Sequence, residues 1–389
     1  MKAAHAIPRG VWILGFVSLL MDVSSEMIHA LLPLYLTVGL GASALTVGVI
    51  EGVAESTALV VKVFSGALSD RLRNRKWVSA AGYGLAAFSK PLFALANGAG
   101  LVFVARFADR IGKGIRGAPR DALIADLTPS AVRGAAFGLR QSLDTIGAFA
   151  GPLAAMARML AWNDDFRAVF WVAVVPAMLS FALIVFAVHE PKAPAEAPSP
   201  APKFTRAMLA SLGRTFWMVT ALGAALTLAR FSEAFLILRA ADLGVAPAFA
   251  PLVLVGMNVV YAATAYPVGR LADRMSGRVL LALGIAMLAV ADVVLAFASS
   301  VVMLGAGVAL WGLHMGLTQG LLAAMVSKAS PAALRGTAFG MFNLASGVAM
   351  LLASAAAGAL WQFVGPAATF WAGAALAVAA LSLTRLAPR

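Results

Sequence analysis

The densest chemistry in the chain lies between Arg106 and Asp121. At about 100° per residue, Arg106, Asp109, Arg110, Lys113, Arg116, Arg120 and Asp121 share an arc of roughly 140° on one face of a helix. Five cations against two carboxylates on one face can pair charges, hold an anion, or hand a proton to a carboxylate whose partner has moved away. Gly112, Gly114 and Gly117 in the same stretch leave room for a close neighbour.

Partners for that face are spaced along two earlier stretches. Asp22, Glu26 and His29 stand at i, i+4 and i+7, with Ser18 and Pro33 on the same side, and Glu51 and Glu55 repeat the i, i+4 step with Lys62 on the same face at i+11. A network joining Asp22 or Glu26 to Arg106 or Arg110 is expected. Arg140 and Asp144, one turn apart and next to Gln141, are expected to pair with each other. For Lys62 and Lys90 the simpler reading, helix-holding ion pairs, is preferred.

These charges sit in a sequence that does not belong in water. Hydrophobic residues make up 61% of the 389 residues and charged ones 12%, and the mean hydropathy is +0.90, which describes a chain dissolved in a bilayer. With 36 glycines and 16 methionines, close helix packing in lipid is expected, and strand-like alternation is too rare for a membrane barrel. In lipid, a face with so many ionisable groups must meet protein or a water-filled cavity.

The sequence also repeats itself. Gly66, Asp70, Arg71 and Arg75 return, shifted by 203 residues, as Gly269, Asp273, Arg274 and Arg278. Arg133-Gly-Ala-Ala-Phe-Gly138 returns, shifted by 202, as Arg335-Gly-Thr-Ala-Phe-Gly340. A parallel repeat in a membrane chain points to a transporter whose site lies between two halves. Apolar runs and their breakers give spans near 11–38, 45–69, 77–97, 99–127, 133–161 and 166–189, then 212–238, 248–272, 278–298, 301–328, 333–361 and 366–386. The expectation is an all-α integral membrane protein of twelve transmembrane helices in two six-helix bundles, 1–189 and 212–389, joined by a Pro/Ala-rich linker over 190–211.

Topology follows from the basic residues. With the amino terminus in the cytoplasm, nearly all Lys and Arg outside the spans fall on that side, and only Arg158, Arg167 and Arg239 fall opposite. The net charge of +13 therefore reads as positive-inside topology and not as a nucleic-acid surface. Lys2 and Arg9 precede an apolar run as in a signal peptide, but Asp22 and Glu26 interrupt it, so 11–38 reads as a retained span. A bacterial inner-membrane protein with both termini cytoplasmic is expected.

At this point the chain resembles a member of the major facilitator superfamily over essentially its full length. Gly66, Asp70, Arg71, Arg75 and Lys76 resemble the family's loop signature between the second and third helices, and Gly269, Asp273, Arg274 and Arg278 resemble its second copy. The resemblance implies the two-bundle fold. Arg110-Ile-Gly-Lys113-Gly114-Ile-Arg-Gly117-Ala118 resembles the fourth-helix motif, with Lys113 where a glutamine is common. Gly147, Gly151 and Pro152 resemble the fifth-helix antiporter motif, with Ala154 and Ala155 about where a glycine pair is usual. These two motifs are similar to those of the drug:proton antiporter branch, which implies export against proton entry.

Independently of the resemblance, Asp70 beside Arg71 and Arg75 at a helix end can pair across bundles in one state and release in the other, which makes Gly66, Asp70, Arg71, Arg75, Gly269, Asp273 and Arg274 the expected conformational latch. Asp22, Glu26, Glu51, Glu55, Asp109 and Asp144 are the proton-coupling candidates. Protonation of Glu26 or Glu55 would free Arg106 or Arg110, and the solute would compete for the same pairing. The second half is quieter: Glu55 has Asn258 as its counterpart, Gln141 has Asn343 and Asp144 has Ser346, so coupling is expected in the first half. Arg230, Glu233, Asp292 and His314 are its ionisable exceptions. Substrate-cavity candidates are His29, Arg106, Arg110, Lys113, Arg116, Gln141, Arg230, Glu233, Asn258, Tyr261, His314 and Asn343.

Other classes are disfavoured. With no cysteine there are no thiolate sites, and His29 and His314 form no metal cluster. No nucleotide loop is present, because Gly112-Lys-Gly-Ile-Arg-Gly117 lacks the preceding strand that a phosphate loop needs. Neither an enzyme nor a primary pump is expected. The expected partners are a small-molecule solute, protons and the lipid bilayer, with no cofactor, no metal, no nucleic acid, a proton gradient as energy source and a monomer as the working form. The leading expectation is proton-coupled efflux of an anionic or amphipathic solute. A facilitator or proton symporter importing a small metabolite is the alternative, and a non-transporting sensor or lipid-handling protein the alternative from another class.

Overall fold

The computed structural model describes residues 7–72, 74–129, 132–190, 206–272, 275–331 and 334–384, without the side chains of 66, 67, 70, 71, 206, 207 and 272. All of the regular structure described is helical. The helices are α1 (Arg9–His29), α2 (Ala44–Leu72), α3 (Arg75–Leu95), α4 (Ala99–Leu127), α5 (Arg133–Ala161) and α6 (Phe166–Phe186). They are followed by α7 (Gly213–Ala229), α8 (Ala234–Asp242), α9 (Leu252–Ala272), α10 (Gly277–Phe297), α11 (Val301–Ala329), α12 (Arg335–Phe363) and α13 (Pro366–Leu383). Every stretch read as a span is helical, and α4 and α5 fall within a residue of their expected bounds. Among the described residues, nine stretches are long and apolar enough to cross a membrane. The polar and ionisable residues of α3, α4 and α5 leave those three helices outside that group.

Two expected spans are not single helices. After α1 the chain turns at Ala30–Leu31, takes a short turn over Leu32–Leu34 and continues as a π-helical turn over Tyr35–Gly39. Pro33 removes a backbone donor there, and the Thr37 hydroxyl donates to the Pro33 carbonyl at 2.9 Å. The seventh expected span divides into α7 and α8 at Arg230–Glu233, where the Ser232 N–H donates to the Ser354 hydroxyl of α12 at 3.2 Å. No proline marks this break, and its polar residues Arg230, Ser232 and Glu233 do not by themselves end a helix.

The chain forms two compact units, residues 1–31 with 60–202 and residues 32–59 with 203–389. Residues 32–59 thus join the second unit instead of staying with the first six helices. Small residues bring them there. A Cβ at Gly52 would lie 3.1 Å from the Leu351 carbonyl oxygen, and one at Gly358 would lie 2.7 Å from that of Ala44, so the start of α2 and α12 touch nearly backbone to backbone. The Ala44 N–H also donates to Gln362 Oε1 at 3.3 Å.

The repeat seen in the sequence is present in the packing. In the first unit α1 packs on α5 and α6, and α3 on α4 and α6; in the second, α7 packs on α12 and α13, and α10 on α11 and α13. The first core gathers Val11, Leu14, Val17 and Met21 of α1 against Tyr83 and Ala87 of α3 and Ala177 and Ile184 of α6. Phe216 and Val219 of α7 with Val326 and Ala338 form the corresponding cluster in the second unit. The expected linker begins late and ends early. Glu190 accepts the N–H groups of Arg75 (2.6 Å) and Lys76 (3.2 Å), placing a carboxylate on the positive end of α3, and Arg206–Ala210 is helical. Residues 191–205 lie outside the described residues.

Candidate functional site

Glycines set the geometry of the first unit. On α3, a Cβ at Gly82 would lie 2.8 Å from the Gly112 carbonyl oxygen, and on α4 one at Gly112 would lie 2.6 Å from that of Gly82. Helices this close hold their flanking side chains at fixed height. The same occurs between α5 and α1, where a Cβ at Gly147 would lie 2.9 Å from the Asp22 Cβ, and one at Gly151 2.7 Å from the Glu26 Cβ. Gly147 and Gly151, read as an antiporter-type motif with the adjacent buried Pro152, therefore press on the backs of two proton-coupling candidates.

Between α1, α3, α4 and α5 runs a chain of polar groups, buried at Lys90 and Asp109 and more open toward Asp121 and Gln141. Lys90 of α3, 1% exposed, places its Nζ 2.8 Å from Asp109 Oδ1 and 2.9 Å from the Ser25 hydroxyl. Asp109 Oδ2 lies 3.6 Å from Arg110 Nε, and the charges of Arg106 and Arg116 also reach this carboxylate. One step further along α4, Arg116 lies 3.9 Å from Asp22 and stacks on the Tyr83 ring at 5.0 Å. The Tyr83 and Ser18 hydroxyls are 3.1 Å apart, and Arg120 donates to Ser18 at 2.8 Å. Arg120 then meets Asp121 at 3.1 Å, Asp121 meets Arg140 at 3.7 Å, and Arg140 donates to Asp144 at 2.8 Å and to Gln141 at 2.9 Å.

Arg140 and Asp144 pair as the sequence indicates, and α1 is linked to α4 at two levels. Asp22 meets Arg116, and the charge of Arg110 reaches Glu26. Depth decides this: Asp22 is about 20 Å from the start of α1 and Arg116 about 17 Å from the end of α4, so antiparallel helices bring the two level. Glu26 lies 3.5 Å from His29 on its own helix, and the charges of Lys113 and Arg110 reach it. Lys90, read from sequence as part of a helix-holding ion pair, is the direct partner of Asp109 and ties α3 to α4. Tyr83 and Ser25 carried no sequence signal beyond polarity, whereas Ser18 was placed by its spacing on the face of Asp22 and Glu26. Arg120 and Asp121 shared the charged face but were not among the cavity candidates.

Other candidates are elsewhere. Glu51 is fully buried and Glu55 half-buried, and both belong to the second unit. Within the first unit Lys90, Arg106, Arg110, Lys113, Arg116, Arg120 and Arg140 outnumber Asp22, Glu26, Asp109, Asp121 and Asp144. Arg116 Nη1 is buried without a hydrogen-bond partner among the described residues. Excess cations with an unused donor form a place for an anionic group.

The second unit contains a chamber of about 770 Å³ between α9, α10 and α11, walled by Tyr261, Ala265, Gly316 and Gly320 with Arg278 and Lys328 at its edge. A volume of this order suits a drug-sized solute. Tyr261 is thus on a cavity wall, whereas His314 is fully buried with Nδ1 2.8 Å from the Gly284 carbonyl oxygen and ties α11 to α10. Arg230, Glu233, Asn258 and Asn343 are all half-buried, and Arg230 and Glu233 flank the α7–α8 break.

Of the expected latch, the side chains of Gly66, Asp70 and Arg71, and all of Asp273 and Arg274, lie outside the described residues. Gly269 is open to space. Arg75, expected to exchange partners between halves, pairs with Asp126 at the end of α4 and donates to the Ala122 carbonyl at 3.2 Å, so it ties α3 to α4 within one unit.

Comparison with known proteins agrees with this architecture. The sequence family described as the Major Facilitator Superfamily matches residues 14–238 and again 221–389. An uncharacterized MFS-type transporter of Methanocaldococcus jannaschii is 31% identical over 378 residues, which cover 96% of this chain and 93% of that protein. Among solved structures, a peptide transporter POT in complex with alafosfalin superposes with TM-score 0.79 at 18% identity, over 99% of this chain and 94% of that one. The nucleoside transporter NupG superposes with TM-score 0.78 at 14% identity, over 98% and 100%. Both likenesses concern the fold. With buried charge inside apolar helices, a repeated helical unit and matches along its whole length, this chain is a multi-pass membrane transporter belonging to the Major Facilitator Superfamily.

Proposed function

We propose that the protein is a proton-coupled exporter of a small organic solute that carries a negative charge, either as an anion or as the polar end of an amphipathic molecule. The observation that carries this reading is the excess of buried cations in the first unit, with Arg116 Nη1 left without a hydrogen-bond partner. An anionic group can take that donor and compete with Asp22 for Arg116. Asp22, once released, takes a proton, and the two bound states are exclusive, which is the requirement for exchange. Export as the direction rests on the resemblance of Gly147, Gly151 and Pro152 to an antiporter motif.

In this reading the chain crosses a bacterial inner membrane twelve times with both termini in the cytoplasm, works as a monomer, needs no cofactor and draws on the proton gradient. Glu26 and Asp109 serve as further proton-coupling groups, and Asp70 and Arg71 with their repeats as the latch. A second reading, uptake of a small polar metabolite, is favoured by the fold neighbours whose names are peptide and nucleoside transporter.

Charge selection tests the proposal. Purified protein in sealed vesicles is given anionic, neutral and cationic radiolabelled compounds, and Arg116→Ala is compared with the parent. Retention of anion flux but not of neutral flux in the parent, lost in Arg116→Ala and partly restored in Arg116→Lys, is the expected outcome. Equal transport of an anionic compound by Arg116→Ala would sink the anion reading.

A further inference from the structure

Asp292 belongs to no part of the charge chain described above, and its carboxylate lies among apolar groups. It is fully buried on α10, and neither carboxylate oxygen has a hydrogen-bond partner or an ion pair among the described residues. Apolar groups close over it. A Cβ added at Gly373 of α13 would collide with both Asp292 Oδ2 and the Phe231 ring, so carboxylate, ring and glycine meet at one point. Phe231 itself packs on Trp311 of α11 and Phe370 of α13, with ring centroids 5.3 and 5.6 Å away.

None of the ionisable groups of the neighbouring elements forms a hydrogen bond or ion pair with Asp292 among the described residues. On α11 these are His314, bonded to Gly284 about two turns from Asp292 along α10, and Lys328 near the far end. Helix α13 has none, α7 has only Arg214 at its start, and α10 adds only Arg278 at its start. Arg230 and Glu233 flank Phe231. Arg239 of α8 is spent on the carbonyls of Leu295 (3.1 Å) and Ala298 (2.8 Å) and on Asp242. An ionised carboxylate without a partner in such a place is severely unfavourable. A metal ion would need several oxygen ligands, and this pocket supplies one carboxylate among rings. A proton needs only the carboxylate.

The internal repeat sharpens the point. Asp292 lies 202 residues after Lys90, and Trp311 lies 202 residues after Asp109. In the first unit these positions form an ion pair; in the second, the countercharge is replaced by an indole and the lysine by an acid. The cover also lies where the helix is interrupted, because Phe231 sits in the α7–α8 break, and interrupted helices are where transporters bind and move. We infer that Asp292 is a proton-binding site of the second unit, loaded as the neutral acid in this conformation and discharged when Phe231 swings away and admits water. On discharge the carboxyl O–H bond breaks, its electron pair stays on the carboxylate and the proton passes to water. Its place in a transport cycle rests on the proton-coupled reading; its existence does not.

Infrared difference spectroscopy of the full chain in lipid nanodiscs at neutral pH, where exposed carboxylates are ionised, tests the site without any solute. The parent should show the carbonyl stretch of a neutral carboxylic acid that is missing from Asp292→Asn. The Asn variant, isosteric with the neutral acid, should keep the parent's thermal stability. Phe231→Ala should lose the band while Phe231→Leu keeps it. A parent spectrum identical to that of Asp292→Asn, strong destabilisation of Asp292→Asn, or a band untouched in Phe231→Ala would each overturn the inference. If the band is present but vesicles move no protons, the coupled-export reading falls and the site stands; if protons move but the band is absent, the reverse holds.

Discussion

At the scale of single residues, the buried pair of Lys90 and Asp109 is the point where removing one partner costs most. Lys90→Met leaves Asp109 with less countercharge inside the unit, and the expected loss is about 3–5 kcal/mol in thermal unfolding, whereas Lys90→Met with Asp109→Leu should cost far less. A single variant as stable as the parent would show that Lys90 is not the principal partner of Asp109. Arg140→Ala should cost less than Lys90→Met, because its partners Asp121 and Asp144 are 39% and 18% exposed and can draw on water. Sequence spacing located Arg140 with Asp144 because both lie on one helix. It could not find Lys90 with Asp109, since the contact joins two helices and a lone lysine in an apolar run has no period to read. Arg116 was not singled out as the partner of Asp22 for a similar reason: helix phase was legible, helix depth was not.

At the scale of elements, paired glycines decide which helices can touch. Gly151→Val adds bulk where even a Cβ would be 2.7 Å from the Glu26 Cβ and 2.8 Å from the Val23 carbonyl oxygen, so α1 must move off α5. The expected cost is about 1–3 kcal/mol of stability, together with lost transport, measured by melting in detergent and by vesicle flux. Gly138→Val, at a glycine of the same helix with open space, should do neither. Equal effects at the two positions would remove the packing argument. The bounds of α4 and α5 were readable because Gly98 and the polar stretch after Leu127 punctuate them. The break between α7 and α8 was not, because Arg230 and Glu233 are its only polar interruptions apart from Ser232 and the surrounding run is helical by propensity on both sides.

At the scale of the whole molecule, the repeat in sequence returns as a repeat in packing, with α1, α3, α4, α5 and α6 matched by α7, α10, α11, α12 and α13. The shared scaffold carries unequal chemistry: a cation-rich polar chain in one unit, and a chamber and an isolated acid in the other. Fold and family were legible from hydropathy and the two repeated motifs, but the exchange of residues 32–59 into the second unit was not, since it depends on the contact of Gly52 and Gly358 with distant backbone. Co-expressing a peptide covering 32–72 with the fragment 206–389 should therefore raise that fragment's resistance to trypsin in detergent. Unchanged resistance would mean that the second unit holds together without it.

The central claim, that an anionic solute and protons exchange through the first unit, is tested most directly by internal pH in sealed vesicles holding an imposed proton gradient. Addition of an anionic compound should dissipate the gradient, neutral and cationic compounds should do so less, and Asp22→Asn should abolish the effect while leaving solute binding intact. A gradient that survives every compound while radiolabelled solutes equilibrate across the same vesicles would contradict coupling and leave a facilitator in its place.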